Sequence, residues 1–313
     1  MIRVPMTASG LASSRFAVAR LSEALDGLRA LSDPRQNQHL RSWVRWARPR
    51  LRGLDLSLLD ALVRTGGYAP DFLTPPPAPS QRPLEAELAD VRATPADRVH
   101  MELELAFRGR PLPARVNVAL ADGEQVFLMR VAEALVRFWY AAMEPWWPAT
   151  RAVLEDDIAY RGRLLTRHGA AVALGQMDRT MRWEDSCLEI AAPTTVDADW
   201  ASDGVILSPS LFGGPRVYYI LQPWNQTVIF YPARNVLNDR APWPNDEGRG
   251  TIELIGHTRA MILAQLDQPR STTELAARLG LSPSTVSHHL GVLHRAGLLD
   301  RSRDGREVLY SRV

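Results

Sequence analysis

Between Ser271 and Tyr310 the chain carries two helix starts, a helix stop and a hairpin turn, and few folds accommodate so many signals in so short a span. Ser271-Thr272-Thr273-Glu274 fits a capping box, in which the Ser271 hydroxyl and the Glu274 carboxylate each satisfy an orphan backbone N–H. The helix so opened runs through Leu275, Ala276 and Leu279 and stops at Gly280, where a left-handed cap is expected. Ser282 then caps a second helix, and Pro283 falls in its first turn, where a missing N–H costs nothing. Ahead of both, the stretch Leu254 to Leu266 places Leu254, Ile262, Leu263 and Leu266 at helical spacings and ends before Pro269.

The helix after Ser282 resolves into two faces. At 100° per residue, Val286, Leu290 and Leu293 point one way, while Ser284, Ser287, His288, Gly291 and Arg295 point broadly the other. With Ser282 and Thr285 at its start, the polar set suits the DNA major groove. Small hydroxyls let a helix sink deep, His288 can donate or accept at a base edge, and Arg295 can reach phosphate. His289 is nearer the apolar side and is read as half-buried. Downstream, Asp304-Gly305 between alternating residues is a strong hairpin signal. A two-residue loop there pairs Arg303 with Arg306 and puts Leu299, Arg301, Val308 and Tyr310 on one face. Opposed arginines repel each other; either water and salt screen them at the hairpin tip, or phosphates or a minor groove neutralise them on binding, the reading favoured beside these helices. Three helices followed by a basic hairpin is the order of a winged helix-turn-helix.

The segments Gly256-His257-Thr258-Arg259-Ala260-Met261-Ile262-Leu263, Thr273-Glu274-Leu275-Ala276, Leu281 to Leu290 and Ala296-Gly297-Leu298 together resemble the ArsR family of bacterial winged-helix regulators. The likeness covers about a fifth of the chain. It implies a homodimeric transcriptional regulator, often a repressor released by a signal, that binds a palindromic operator in double-stranded DNA. Ser284, Ser287 and His288 would read bases, with Arg301, Arg303 and Arg306 on the wing. The metal-sensing branch of that family carries a cysteine cluster in the helix before the recognition helix, and Thr273 to Leu279 has none. Its other metal site and much of its dimer interface lie on a helix after the wing, whereas this sequence stops at Val313. Metal sensing is therefore not expected, and dimerisation is expected from the N-terminal region. His288, His289 and His294 are not spaced as ligands on one face, so neither a metal nor a cofactor is expected.

Composition points the same way. All 37 basic residues are arginine, and a single cysteine, Cys187, excludes an intramolecular disulfide. No signal-peptide pattern and no run of about 18 apolar residues occurs, so a soluble cytoplasmic protein without membrane contact is expected. Residues 250–313 hold 8 arginines against 6 acids and so carry the whole formal charge of +2. That excess is small, so DNA affinity would depend on where the arginines lie and on having two copies.

The length allows one large domain, residues 1–245, ahead of a winged helix-turn-helix at 246–313. Ile2 to Val4 reads as a short strand. Leu21, Leu25 and Leu28 stripe a helix ending near Asp33-Pro34, and Leu40, Val44, Ala47 and Leu51 stripe another that bears Arg41, Arg45, Arg48 and Arg52. Thr74 to Ser80 is an extended Pro-rich loop. Helices follow from Pro83 to Ala93 and from a Thr94-Pro95-Ala96-Asp97 capping box onward, and Gln125 to Met143 and Ala149 to Thr166 read as a helical hairpin around Pro145-Trp146-Trp147-Pro148. From Met181 the pattern turns to β, with an Asp185-Ser186 turn and β-branched or aromatic runs at Val205 to Leu207, Val217 to Leu221 and Thr227 to Tyr231. The expected fold class is α+β: a C-terminal winged helix-turn-helix preceded by a larger, mostly helical domain with an antiparallel sheet. That N-terminal region resembles those attached to ArsR-type readers in high-GC Gram-positive bacteria.

All nine tryptophans precede residue 250. Trp139, Trp146, Trp147, Tyr160 and Tyr218 are candidates to line a pocket for a small-molecule effector, the bland alternative being core and dimer interface. Asp156-Asp157 and Glu184-Asp185 read as solvated acids, and His100 and His168 as isolated. No nucleophile elbow, phosphate loop or His-Glu metal motif occurs, so an enzyme is not expected. The rival reading is a small-molecule-binding or catalytic protein whose C-terminal module serves protein interaction.

Overall fold

The computed structural model describes residues 1–33, 37–63, 67–80, 82–234, 256–266, 268–279, 281–304 and 307–312. The architecture is α+β in two compact units, Met1–Met143 with Leu154–Val236, and Glu144–Val153 with Leu237–Val313.

Helices of the first unit are α1 (Ala8–Ser13), α2 (Arg20–Ser32), α3 (Arg41–Arg50), α4 (Ser57–Val63), α5 (Leu84–Arg92), α6 (Ala96–Phe107), α7 (Ala114–Leu120) and α8 (Glu124–Phe138). The chain then continues through a π turn at Trp139–Met143 and a 3-10 turn at Glu144–Trp146 into α9 (Trp147–Gly175), which kinks at Gly169 with φ 80°. The segment around Pro145 and Pro148 is thus helical, where a Pro-delimited turn was expected. In α3 the apolar stripe of Val44 and Ala47, with Leu40 just ahead of it, is buried as the spacing requires. Trp43 joins it, with Nε1 donating to the Ala142 carbonyl at 3.2 Å. The capping box expected at Thr94 does not form. Pro95 takes the cap position without a side-chain bond, and the Thr94 hydroxyl donates backward to Val91 O at 2.9 Å.

Strands of this unit are β1 (Ile2–Pro5), β2 (Arg15–Phe16), β3 (Met181–Glu184), β4 (Cys187–Ile190), β5 (Val196–Asp197), β6 (Ile206–Ser210), β7 (Tyr218–Ile220) and β8 (Val228–Pro232). The Asp185-Ser186 turn joins β3 to β4 with φ of 47° and 60°, the left-handed pair that tight hairpins use. The expectation of one antiparallel sheet is corrected to two mixed sheets. The order β3-β4-β1-β5 is antiparallel except where β1 meets β5, and the order β2-β6-β8-β7 is parallel except where β7 meets β8. Both faces of β6, and of β8 except its last residue Pro232, are buried, which is the setting parallel strands occupy. Continuous apolar runs carry no alternation from which strand direction could be read.

Two polar readings also change. Asp157 is 2 % exposed rather than solvated, with Arg161 at 3.5 Å and Arg234 at 3.3 Å, so its charge is paired inside the unit. His100 is not isolated, because Nε2 lies 2.7 Å from Glu124 Oε1.

In the second unit, α10 (His257–Ala264), α11 (Thr272–Leu279) and α12 (Pro283–Arg295) enclose a core with β9 (Arg270–Ser271), β10 (Leu299–Asp304) and β11 (Glu307–Arg312). Met261, Ile262, Leu266, Leu275, Leu279, Val286, Leu290, Leu293, Leu299 and Tyr310 form one apolar cluster, which Ala149 also joins. Leu254 and Gly280, assigned roles above, lie outside the described residues.

Candidate nucleic-acid interface

Two caps set the direction of α11 and α12. Ser271 N donates to Glu274 Oε2 at 2.9 Å and Glu274 N donates to Ser271 Oγ at 3.3 Å, which is the reciprocal capping box read from the sequence. Ser282 Oγ accepts from Thr285 N at 3.1 Å and Pro283 occupies the first turn. The Ser282 hydroxyl also lies 2.8 Å from both Ser284 Oγ and Thr285 Oγ1, so Ser282 serves the cap while the others share it. Between the helices, Leu281 N donates to Ala276 O at 3.1 Å, closing a tight turn.

On α12 the faces separate as the helical period demands. Val286, Leu290 and Leu293 are buried, while Ser284, Ser287, His288 and Arg295 are exposed. Arg295 reaches back along the helix, its Nη1 within 3.5 Å of where a Cβ on Gly291 would sit. His289 is half-buried as expected. Burial, then Arg259 and His288, hold its imidazole below the usual range, so it is neutral at pH 7.

The exit from α12 aims the wing. Leu298 N donates to Leu293 O and Gly297 N to His294 O, each at 3.0 Å, with Gly297 left-handed at φ 72°. These two bonds are a Schellman stop. His294 Nδ1 bonds Leu299 O at 2.8 Å and ties the helix end to the first wing strand. A Cβ on Gly297 would meet no atom within 4 Å, so Gly297→Ala adds backbone strain alone. The expected loss is about 1 kcal/mol of stability, measurable by urea unfolding; a gain would mean the backbone there relaxes freely.

The wing register differs from the one expected. Asp304 pairs with Glu307, Arg303 with Val308 and Arg301 with Tyr310, so the pairing is shifted and Arg303 does not oppose Arg306. Arg306 itself lies outside the described residues. The shift replaces a repulsive Arg–Arg pair with arginines laid against apolar and aromatic neighbours. Leu299, Arg301, Val308 and Tyr310 keep their common face, because only an odd slip would turn strands over. Along that face Leu299 is 1 % exposed whereas Arg301 and Arg303 are open to solvent, so the wing carries its charge beyond the core.

Other arginines of this unit brace it. Arg270 Nε and Arg312 Nε donate to Gln265 O and Leu263 O, each at 2.7 Å, and Arg278 Nε to Gln265 Oε1 at 3.3 Å. Among the described residues of this unit, the exposed arginines outside these braces are Arg295 on α12 and Arg301 and Arg303 on β10.

Residues 257–302 match the family described as "Helix-turn-helix domain". Over 55 residues, the chain is 46% identical to the HTH-type transcriptional regulator NmtR of Mycobacterium tuberculosis (strain ATCC 25618 / H37Rv), covering 17% of this chain and 46% of that protein. Residues 257–302 are an ArsR-type helix-turn-helix domain. The chain spans a little under half the length of this curated relative. No solved structure matches.

Outside the ArsR-type domain the aromatic candidates scatter. Trp139 is buried under the Arg20 guanidinium at 5.5 Å, and Tyr160 stacks beneath Arg234 at 3.6 Å. Trp146 and Trp147 are buried in the Glu144–Val153 segment. Tyr218 does line a cavity in the first unit, between α2, residues 67–74 and the β7 edge. Its ring stacks on Phe230 at 4.5 Å and its hydroxyl donates to Asp26 Oδ2.

The sequence reading missed Asp26, which lines that cavity, and Glu23 on the same helix. Glu23 and Asp26 stand three apart on a helix otherwise rich in Ala and Leu, and that placement was the available signal. Glu23 Oε2 accepts from Leu211 N at 3.1 Å and Phe212 N at 3.0 Å, and burial pushes its carboxyl up to about 8. Among the described residues no cluster of three or more metal-ligating side chains occurs, and no helix is long and apolar enough to cross a membrane.

Proposed function

We propose that this chain is a homodimeric, cytoplasmic ArsR-type transcriptional repressor that binds a near-palindromic operator and is released by a small-molecule effector. Residues 246–313 read DNA, and residues 1–245 dimerise and sense. Two copies of α12 enter successive major grooves about 34 Å apart. Ser284, Ser287 and His288 face base edges, Thr285 and Ser282 the flanking backbone, and Arg295, Arg301, Arg303 and Arg306 phosphates. The effector acts by preferring a dimer geometry in which that spacing is wrong. The observation carrying the reading is the division of α12, whose apolar face is fully committed to the core while its hydroxyl and imidazole face is open.

A gel-shift series with duplex DNA at increasing salt tests it. Affinity is expected to fall steeply with salt, and the double variant Arg301→Ala with Arg303→Ala, which removes two contacts from each of two copies, is expected to lower the log–log slope by about 4. Ser287→Ala and His288→Ala are each expected to cost about 1–3 kcal/mol of discrimination between operator and random DNA. Salt-insensitive binding, or none across a random duplex pool, would overturn the assignment.

A further inference from the structure

We propose that the arginine row on α3 is a second, sequence-independent contact surface for the phosphates of duplex DNA. This rests on the DNA-binding role proposed for the chain and gives the first unit a share in it.

Between Asp33 and Asp55 the sequence holds six arginines and no acid. Arg41, Arg45 and Arg48 fall within about 60° of one another on α3, and Arg52 extends the row just past its end. All four are exposed, while Leu40, Trp43, Val44 and Ala47 are buried on the inward side. Elsewhere in this unit exposed arginines are matched by acids, as Arg3 is by Glu189, Arg130 by Asp122 and Arg137 by Glu133. Among the described residues no carboxylate pairs with Arg41, Arg48 or Arg52, and Arg48 Nη2 donates to the Leu31 carbonyl at 3.3 Å. Arg50 turns off the row: its Nη1 donates to Trp46 O at 2.9 Å and its guanidinium lies 4.1 Å over the Trp46 ring.

Such a row costs the helix stability. Cations three and four residues apart repel, and Arg41 at the helix start, with no acid in that turn, opposes the helix dipole. An anion whose charges repeat along a line relieves both. From Arg41 to Arg48 the helix rises about 10 Å, a length over which duplex DNA presents about six phosphates. Guanidinium groups bind phosphate oxygens in a fixed fork. Two other polyanions fit less well. A helix lying on a lipid surface keeps an apolar face outward, whereas that face of α3 is buried. Single strands need open aromatic platforms, and Trp46 is half-buried with Arg50 stacked over it.

The test uses the full-length protein and a labelled random-sequence duplex of about 60 base pairs, followed by fluorescence anisotropy from about 50 to 200 mM salt. The triple variant Arg41→Ala with Arg48→Ala and Arg52→Ala removes three contacts from each of two copies. It is expected to lower the log–log slope by about 5 and the affinity at low salt about tenfold or more. Lysine at the same three positions, a point charge that phosphate still accepts, is expected to restore most of the slope. An alanine variant with the wild-type slope overturns the proposal. So does a lysine variant that binds no better than the alanine one, since the loss would then be one of fold and not of charge. If the alanine variant loses uptake by phosphatidylserine vesicles and keeps its DNA affinity, the row faces lipid and the proposal falls. The wing variant Arg301→Ala with Arg303→Ala keeps the two ideas apart. Losses that multiply when both sets are combined support both. Loss with the wing set alone leaves the reader and removes the row; loss with the α3 set alone leaves the row and removes the reader.

Discussion

Leu290→Ala is expected to cost the C-terminal unit about 2–5 kcal/mol and to abolish DNA binding without touching the exposed face of α12. Leu290 is fully buried at the centre of the apolar cluster, with Val286 and Leu293 on the same helix and Leu275 and Leu279 on α11 in the same cluster. Truncation removes apolar surface from the core and leaves a void that stiff neighbours refill only in part. A unit of this size holds roughly 4–12 kcal/mol in total, so the variant stands near its unfolding threshold. Loss of helix signal in circular dichroism, well below the wild-type transition, measures the effect. A cost under about 1 kcal/mol would mean the cluster repacks freely, and the division of α12 into two committed faces would no longer hold.

Gly10→Ala is expected to destabilise the first unit by about 3 kcal/mol and lower its Tm by roughly 6–12 °C. A Cβ at Gly10 would stand 1.7 Å from Ser202 O and 2.8 Å from Ser202 C, and both are backbone atoms that no rotamer change can move. Gly204, on the other side of the same contact, has φ 126° and would put its own Cβ 2.9 Å from Gly10 O. The contact is coupled to the sheet: Ser14 Oγ donates to Gly10 O at 2.8 Å and accepts from Val205 N at 3.1 Å, directly ahead of β2 and β6. Pushing α1 away therefore loosens the start of the β2–β6 pairing. A melting curve within 2 °C of wild type, roughly the shift one small surface change gives, would show that α1 is not held there.

Much of the C-terminal unit was legible because its signals are local. The Ser271 to Glu274 box, the Ser282 cap and the buried stripe on α12 each depend on residues within a turn or two of one another. The wing register was not legible, since an Asp-Gly pair can sit at either position of a tight loop and cross-strand partners decide between them. The N-terminal sheets were hidden for a stronger reason. Arg15 and Phe16 pair with Ile206 and Leu207, and Ile2 to Pro5 with Cys187 to Ile190, so the decisive partners are remote in sequence. Remoteness also concealed the acids of α2. Glu23 looks like a surface residue until Leu211 and Phe212 bring their N–H groups to it.

That same threading of β1 and β2 has a kinetic corollary. Strands β1 and β2 are interior and edge strands of sheets whose remaining strands follow in the chain only after Gly175, and β8 closes at Pro232. Loops of nearly two hundred residues must therefore close before those ladders form, a pattern associated with slow folding. The ArsR-type module draws its pairing from neighbours instead, so it is the portion able to reach its shape on the shorter timescale.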